Sequence, residues 1–80
     1  MVKQQRDNSL MKAVGRRLRE LRESIGLSQE TVLFKTGIYL TRIENGKRNI
    51  SISTLIELCK VYNITLREFF KKVHYGETNP

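Results

Sequence analysis

Between positions 29 and 48 the chain carries Gln29, Arg42, Asn45, Lys47 and Arg48, two amides and three cations within twenty residues. An arginine fork matches the O6 and N7 acceptors of guanine, and any of these cations can pair with a phosphate oxygen. That is the chemistry of recognition. Bond-breaking chemistry has little to work with here. The only histidine is His74 and the only cysteine is Cys59, and neither stands in a catalytic pattern with Ser or carboxylate neighbours. An enzyme is therefore not expected. Cys and His are too few for a structural zinc site, no glycine-rich phosphate loop is present, and no cofactor is expected.

The bulk charge agrees with a polyanionic partner. Fifteen Lys and Arg oppose eight Asp and Glu, giving +7 and a pI near 10. Nucleic acid is the first candidate and an anionic membrane surface the second. A net charge of this size also serves plain solubility, so the segment carries the argument more than the charge does. No apolar run approaches the ~18 residues of a membrane span. The opening M-V-K-Q-Q-R-D-N has no apolar core and does not read as a secretory signal. Cys59 stands among Leu55, Ile56, Leu58 and Val61 and reads as a small buried hydrophobe, which fits a reducing cytoplasm.

Eighty residues make one domain with one compact core. Positions 1–8 lack periodicity and read as a mobile arm. A first helix is predicted over Ser9–Ser24, with Leu10, Val14, Leu18, Leu21 and Ile25 in one stripe. Gly26 supplies its stop. Ser28 is a good N-cap for a second helix over Gln29–Lys35, whose core face includes Val32 or Leu33 and Thr36. Gly37 makes the turn. A third helix is predicted over Ile38–Asn45, with Leu40 and Ile43 inward and Ile38, Thr41, Arg42 and Asn45 outward. Ser51 caps a fourth over Ile52–Tyr62, apolar round most of its circumference. Thr65 and Glu68 form a T-x-x-E capping box for a fifth over Leu66–Val73. The domain is thus 9–73, all-α with five helices, and 74–80 is a tail.

Several pieces stand in order along this frame: G-L-S-Q-E, T-G, R-I-E-N-G-K-R-N and T-L-I-E-L-C-K. Together they resemble the lambda-repressor-like, or Xre, family of small prokaryotic helix-turn-helix DNA-binding regulators, over about Val14 to Phe70. The resemblance implies that family's five-helix fold and a duplex-DNA partner. One departure is evident. The stretch from Gly37 to Glu44 is about three residues shorter than the family spacing, nearly one helical turn. It falls where the second helix hands over to the reader.

The resemblance assigns roles residue by residue. Gln29 would touch a phosphate and brace a base-reading side chain. Arg42 is the strongest base reader, with Thr36, Ile38, Tyr39 and Thr41 around it. Ile38 could press on a thymine methyl or belong to the core, and Tyr39 or Thr41 could bond a phosphate. Asn45, Lys47 and Arg48 would meet the DNA backbone. Arg22 and Glu44 would form a partly buried ion pair that fixes the reader to the scaffold. Phe34, where the family has a polar residue, would fill the space left by the missing turn; the alternative is an exposed, partner-binding aromatic.

The resulting expectation is a cytoplasmic, nucleoid-associated transcriptional regulator. A repressor binding as a homodimer to a pseudo-palindromic site fits a reader this short. Phe69, Phe70, Val73 and Tyr75 are the expected dimer surface. Two alternatives stand beside it. One is a restriction–modification controller or phage switch. The other is an antitoxin that binds a toxin protein and DNA. Contact with RNA polymerase is a further possibility.

Overall fold

The computed structural model describes residues 8–74, which form five helices joined by short turns. They are α1 (Asn8–Ser24), α2 (Gln29–Thr36), α3 (Thr41–Glu44), α4 (Ile52–Val61) and α5 (Leu66–Lys71). Helix α1 takes in Asn8, which the sequence reading had given to the arm. The remaining arm residues, and Tyr75 with the rest of the tail, lie outside the described residues.

Three hydroxyls set the helix starts. Ser28, Ser51 and Thr65 accept the backbone N–H of Thr31, Thr54 and Glu68, each three residues on. These bonds satisfy donors that the first helical turn leaves without partners. The capping box is only half made: the Glu68 carboxylate turns to Lys71, 3.8 Å away. At the far ends, Asn63 adopts φ 57° after α4, as a left-handed C-terminal residue does.

The core is one cluster: Val14 and Leu18 from α1, Val32 from α2, Leu40 and Ile43 around α3, Leu55, Leu58 and Cys59 from α4 with Tyr62 at its C-terminal cap, and Phe69 from α5. Burial pushes the Cys59 thiol up from its ordinary value, which keeps it protonated and inert.

Several apolar expectations are corrected. Ile25 stands in solvent beyond the last turn of α1, while Met11 and Ala13, outside the predicted stripe, are buried. Helix α4 is not apolar-packed all round: Ile52 is 63 % exposed and Ile56 is exposed as well, because α4 buries only the face that carries Leu55, Leu58 and Cys59. The adjacent phenylalanines of α5 divide, Phe69 fully buried and Phe70 42 % exposed. Their rings meet edge-on at 5.1 Å.

Candidate nucleic-acid interface

Helix α2 begins with Gln29 and closes on Gly37, whose φ of 77° lets its N–H reach the Leu33 carbonyl at 2.7 Å. A side chain in that backbone conformation would be strained, so glycine is the fitting residue. The Thr36 hydroxyl then donates to the Val32 carbonyl at 2.7 Å and accepts from the Ile38 N–H at 3.0 Å. Those two bonds tie Ile38 back to the end of α2, and residues 37–40 stand outside any helix. Helix α3 therefore starts at Thr41 and has four residues, not the eight predicted over Ile38–Asn45. Leu40, the N-cap, is buried, and Ile38 packs partly buried against the core. Of the two positions open to Ile38, outward or core, it takes one partly buried against the core, and the Thr36 hydroxyl is engaged with backbone.

The inner side of α3 is clamped. Arg22 Nε donates to Glu44 Oε2 and Arg22 Nη2 to Glu44 Oε1, both at 2.8 Å, and Arg22 Nη1 donates to the Leu27 carbonyl at 2.9 Å. Both residues are buried. The hydrogen bond to Glu44 raises the Arg22 pKa above its ordinary value. Gln29 extends the array: its Nε2 donates to Glu44 Oε1 at 2.9 Å, and its Oε1 accepts from the Thr41 hydroxyl at 3.1 Å. One chain of bonds thus ties α1, the start of α2 and both ends of α3. It fixes the orientation of the Gln29 amide and leaves it one N–H and one lone pair for other use.

Two glycines bring backbone against backbone at the same junction. A methyl at Gly15, in the middle of α1, would overlap the carbonyl oxygens of Ile43 and Glu44. A methyl at Gly46 would come within 2.8 Å of the Lys12 backbone. Neither residue figured among the sequence candidates. A glycine inside a helix costs stability and so signals a packing requirement, which is the clue at Gly15. Lys12 was also missed; it lies beside the turn that carries Lys47 and Arg48.

The outer side is open. Tyr39 is 72 % exposed, and Thr41 and Arg42 are exposed. Among the described residues, the Arg42 guanidinium has no hydrogen-bond or ion-pair partner. The turn Asn45–Arg48 folds back on α3, with the Asn45 N–H on the Thr41 carbonyl and the Lys47 N–H on the Arg42 carbonyl. Asn45, Lys47 and Arg48 are exposed there. A groove of about 380 Å³ separates Gly37–Tyr39 from Arg48–Ser51. The structure therefore leaves Tyr39, Thr41, Arg42, Asn45, Lys47 and Arg48 exposed around α3, while the Thr36 hydroxyl is engaged with backbone and the partly buried Ile38 lines the groove beside Tyr39.

Phe34 is 92 % exposed, so it does not fill space behind the shortened turn. Val32 occupies the inward position of α2, and Phe34, two residues on, comes out on the far side of so short a helix.

Two helices joined by a glycine turn, with the second clamped to the first, define a helix-turn-helix domain. A family model described as Helix-turn-helix matches residues 18–69, and the chain belongs to that family. It is 41 % identical over 63 residues to the HTH-type transcriptional regulator PuuR of Escherichia coli (strain K12), covering 75 % of this chain and 34 % of that protein. The chain thus spans about a third of that relative's length. It is 36 % identical over 70 residues to the control protein C.MunI of a Mycoplasma species, covering 82 % of this chain and 95 % of that one. Among solved structures, the restriction-modification controller protein C.AhdI from Aeromonas hydrophila superposes with a TM-score of 0.70 at 41 % identity, covering 75 % of this chain and 96 % of that one.

Proposed function

We propose that the protein is a sequence-specific transcriptional regulator that reads duplex DNA with the outer side of α3. The observation that carries this reading is the contrast across α3: Glu44 is buried in a bidentate ion pair while Arg42, two residues away, is exposed and unpaired among the described residues. A clamped helix presents a pre-positioned guanidinium, which suits the guanine edge. Tyr39 and Thr41 flank it, Gln29 braces Thr41, and Asn45, Lys47 and Arg48 meet the phosphates. Thr36 and Ile38 support the turn rather than the bases. With the reader one turn short, more of the selectivity falls to Arg42 and to DNA shape. Loop cations release counterions on binding, so affinity falls steeply with added salt.

The reading includes a homodimer on a pseudo-palindromic operator, acting as a repressor in the cytoplasm at the nucleoid. Exposed Ile52, Ile56 and Phe70 support the dimer, since Ile52 and Phe70 border one apolar hollow with Leu10 and Ile50. This moves the proposed dimer surface to α4 and the outer ring of α5, because Phe69 is core. Of the other roles, a restriction–modification controller is favoured by the near full-length match to two controller proteins. A toxin or polymerase contact would fall on exposed Phe34.

Selection from random duplex DNA tests the reading. The wild type should enrich one motif, and Arg42→Ala should lose the preference at one guanine, worth about 1–3 kcal/mol of discrimination. No enriched motif for the wild type overturns it.

A further inference from the structure

The cations near α3 account for one side of α1 only. At 100° per residue, Ala13, Arg17 and Glu20 lie about 140° to 200° round α1 from Gly15, the residue that touches α3. On that far side a hollow of about 220 Å³ opens between α1 and the end of α5. Its lining is Ala13, Arg16, Arg17, Glu20, Lys72 and His74. Three permanent cations and an imidazole thus surround it with one carboxylate.

The hollow is partly organised. Arg17 Nε donates to the Phe69 carbonyl at 3.3 Å, which holds the guanidinium against the end of α5 and leaves its Nη groups for another acceptor. The side chains of Arg16, Lys72 and His74 have no hydrogen-bond or ion-pair partner among the described residues. Buried Ala13 keeps the floor low. A carboxylate offers two oxygens, too few for three separated cations. A phosphate group offers more oxygens and more charge, and arginine pairs with it through two parallel bonds.

We propose that this hollow binds the phosphate group of a small ligand, on a surface separate from the one that meets DNA. A duplex lying against α3 leaves the opposite side of α1 open, so ligand and operator can be bound together.

The test is an amide-resolved NMR titration of the full chain with pyrophosphate, and with inorganic phosphate in parallel, at constant ionic strength. Saturable shifts centred on Ala13, Arg16, Arg17 and Lys72 are expected. The double variant Arg16→Gln, Lys72→Gln should bind pyrophosphate about tenfold more weakly, since two of three charge-assisted contacts are lost. Its affinity for the selected duplex should stay within about threefold, the loss being general charge rather than contact. Shifts that do not saturate, or that centre on Arg42–Arg48, overturn the proposal. So does unchanged pyrophosphate affinity in the double variant. Displacement of pyrophosphate by a stoichiometric short duplex overturns it too, because the hollow would then belong to the DNA surface.

Discussion

The two sides of α3 obey different rules. On the inner side, backbone touches backbone at Gly15, and Arg22, Glu44 and Gln29 satisfy one another in a nearly dry junction. On the outer side, Tyr39, Thr41 and Arg42 stand in solvent with room around them. The difference teaches where this small domain is rigid and where it is free to vary. A helix of four residues cannot hold itself. Its geometry is supplied by the scaffold behind it, and the side chains in front are left to meet a ligand.

The most severe way to break this contrast is Glu44→Ala. It strands the buried Arg22 guanidinium and removes the Gln29 acceptor, and should cost about 3–5 kcal/mol in urea unfolding. A loss below 1 kcal/mol, within the scatter of exposed pairs, would mean that the junction is wet and the inner side is not special.

Gly15→Ala is next. Its methyl has no space against the Ile43 and Glu44 carbonyls, so α1 and α3 must part. Overpacking of this kind costs about 1–3 kcal/mol, whereas alanine in an unobstructed helix would gain about 1 kcal/mol over glycine. The sign of the change in thermal midpoint therefore decides whether the close approach is real.

A smaller effect is expected at Tyr62, whose hydroxyl is buried without a hydrogen-bond partner. Burial, with Glu44 adding to it, pushes the phenol from 10.0 up to about 12. The neutral form is thus the folded one, and its contribution is full below pH 10 and lost as the pH rises toward 12. Tyr62→Phe should leave neutral-pH stability unchanged or raise it by about 1 kcal/mol, since an unsatisfied hydroxyl disappears. It should also flatten the alkaline decline. Destabilisation at pH 7 would show that the hydroxyl has a partner in solution.

The smallest change is expected at Phe34→Ala. A side chain this exposed buries almost nothing, and thermal stability should move by no more than about 0.5 kcal/mol. A larger loss would restore the packing role that the spacing had suggested.

Much of the frame was legible because its signals are local. Ser28, Ser51 and Thr65 mark helix starts by side-chain bonds three residues long, and Gly26, Gly37 and Asn63 mark stops or turns by positive φ. The Arg22–Glu44 pair was legible only through the family resemblance, since nothing in either side chain names a partner 22 positions away. The outer side of α3 was half legible. Arg42 and the Asn45–Arg48 turn followed from the motif, but the length of α3 did not. There the Thr36 hydroxyl bonds the Val32 carbonyl and the Ile38 N–H, and residues 37–40 stand outside any helix.

The sequence by itself determined five helices, their caps, a basic turn and a fold class, because helix periodicity and capping act over three or four residues. Only the tertiary structure decided which apolar residues stay outside: Ile52, Ile56 and Phe70 look like core in a stripe, and Phe34 like a filler behind the short turn, but all four stand exposed. It also decided that Gln29 is a brace within the junction and that Gly15 sits at a backbone contact. Those facts depend on where α3 lies across α1, and the distance between elements far apart in the chain is set by packing rather than by local preference.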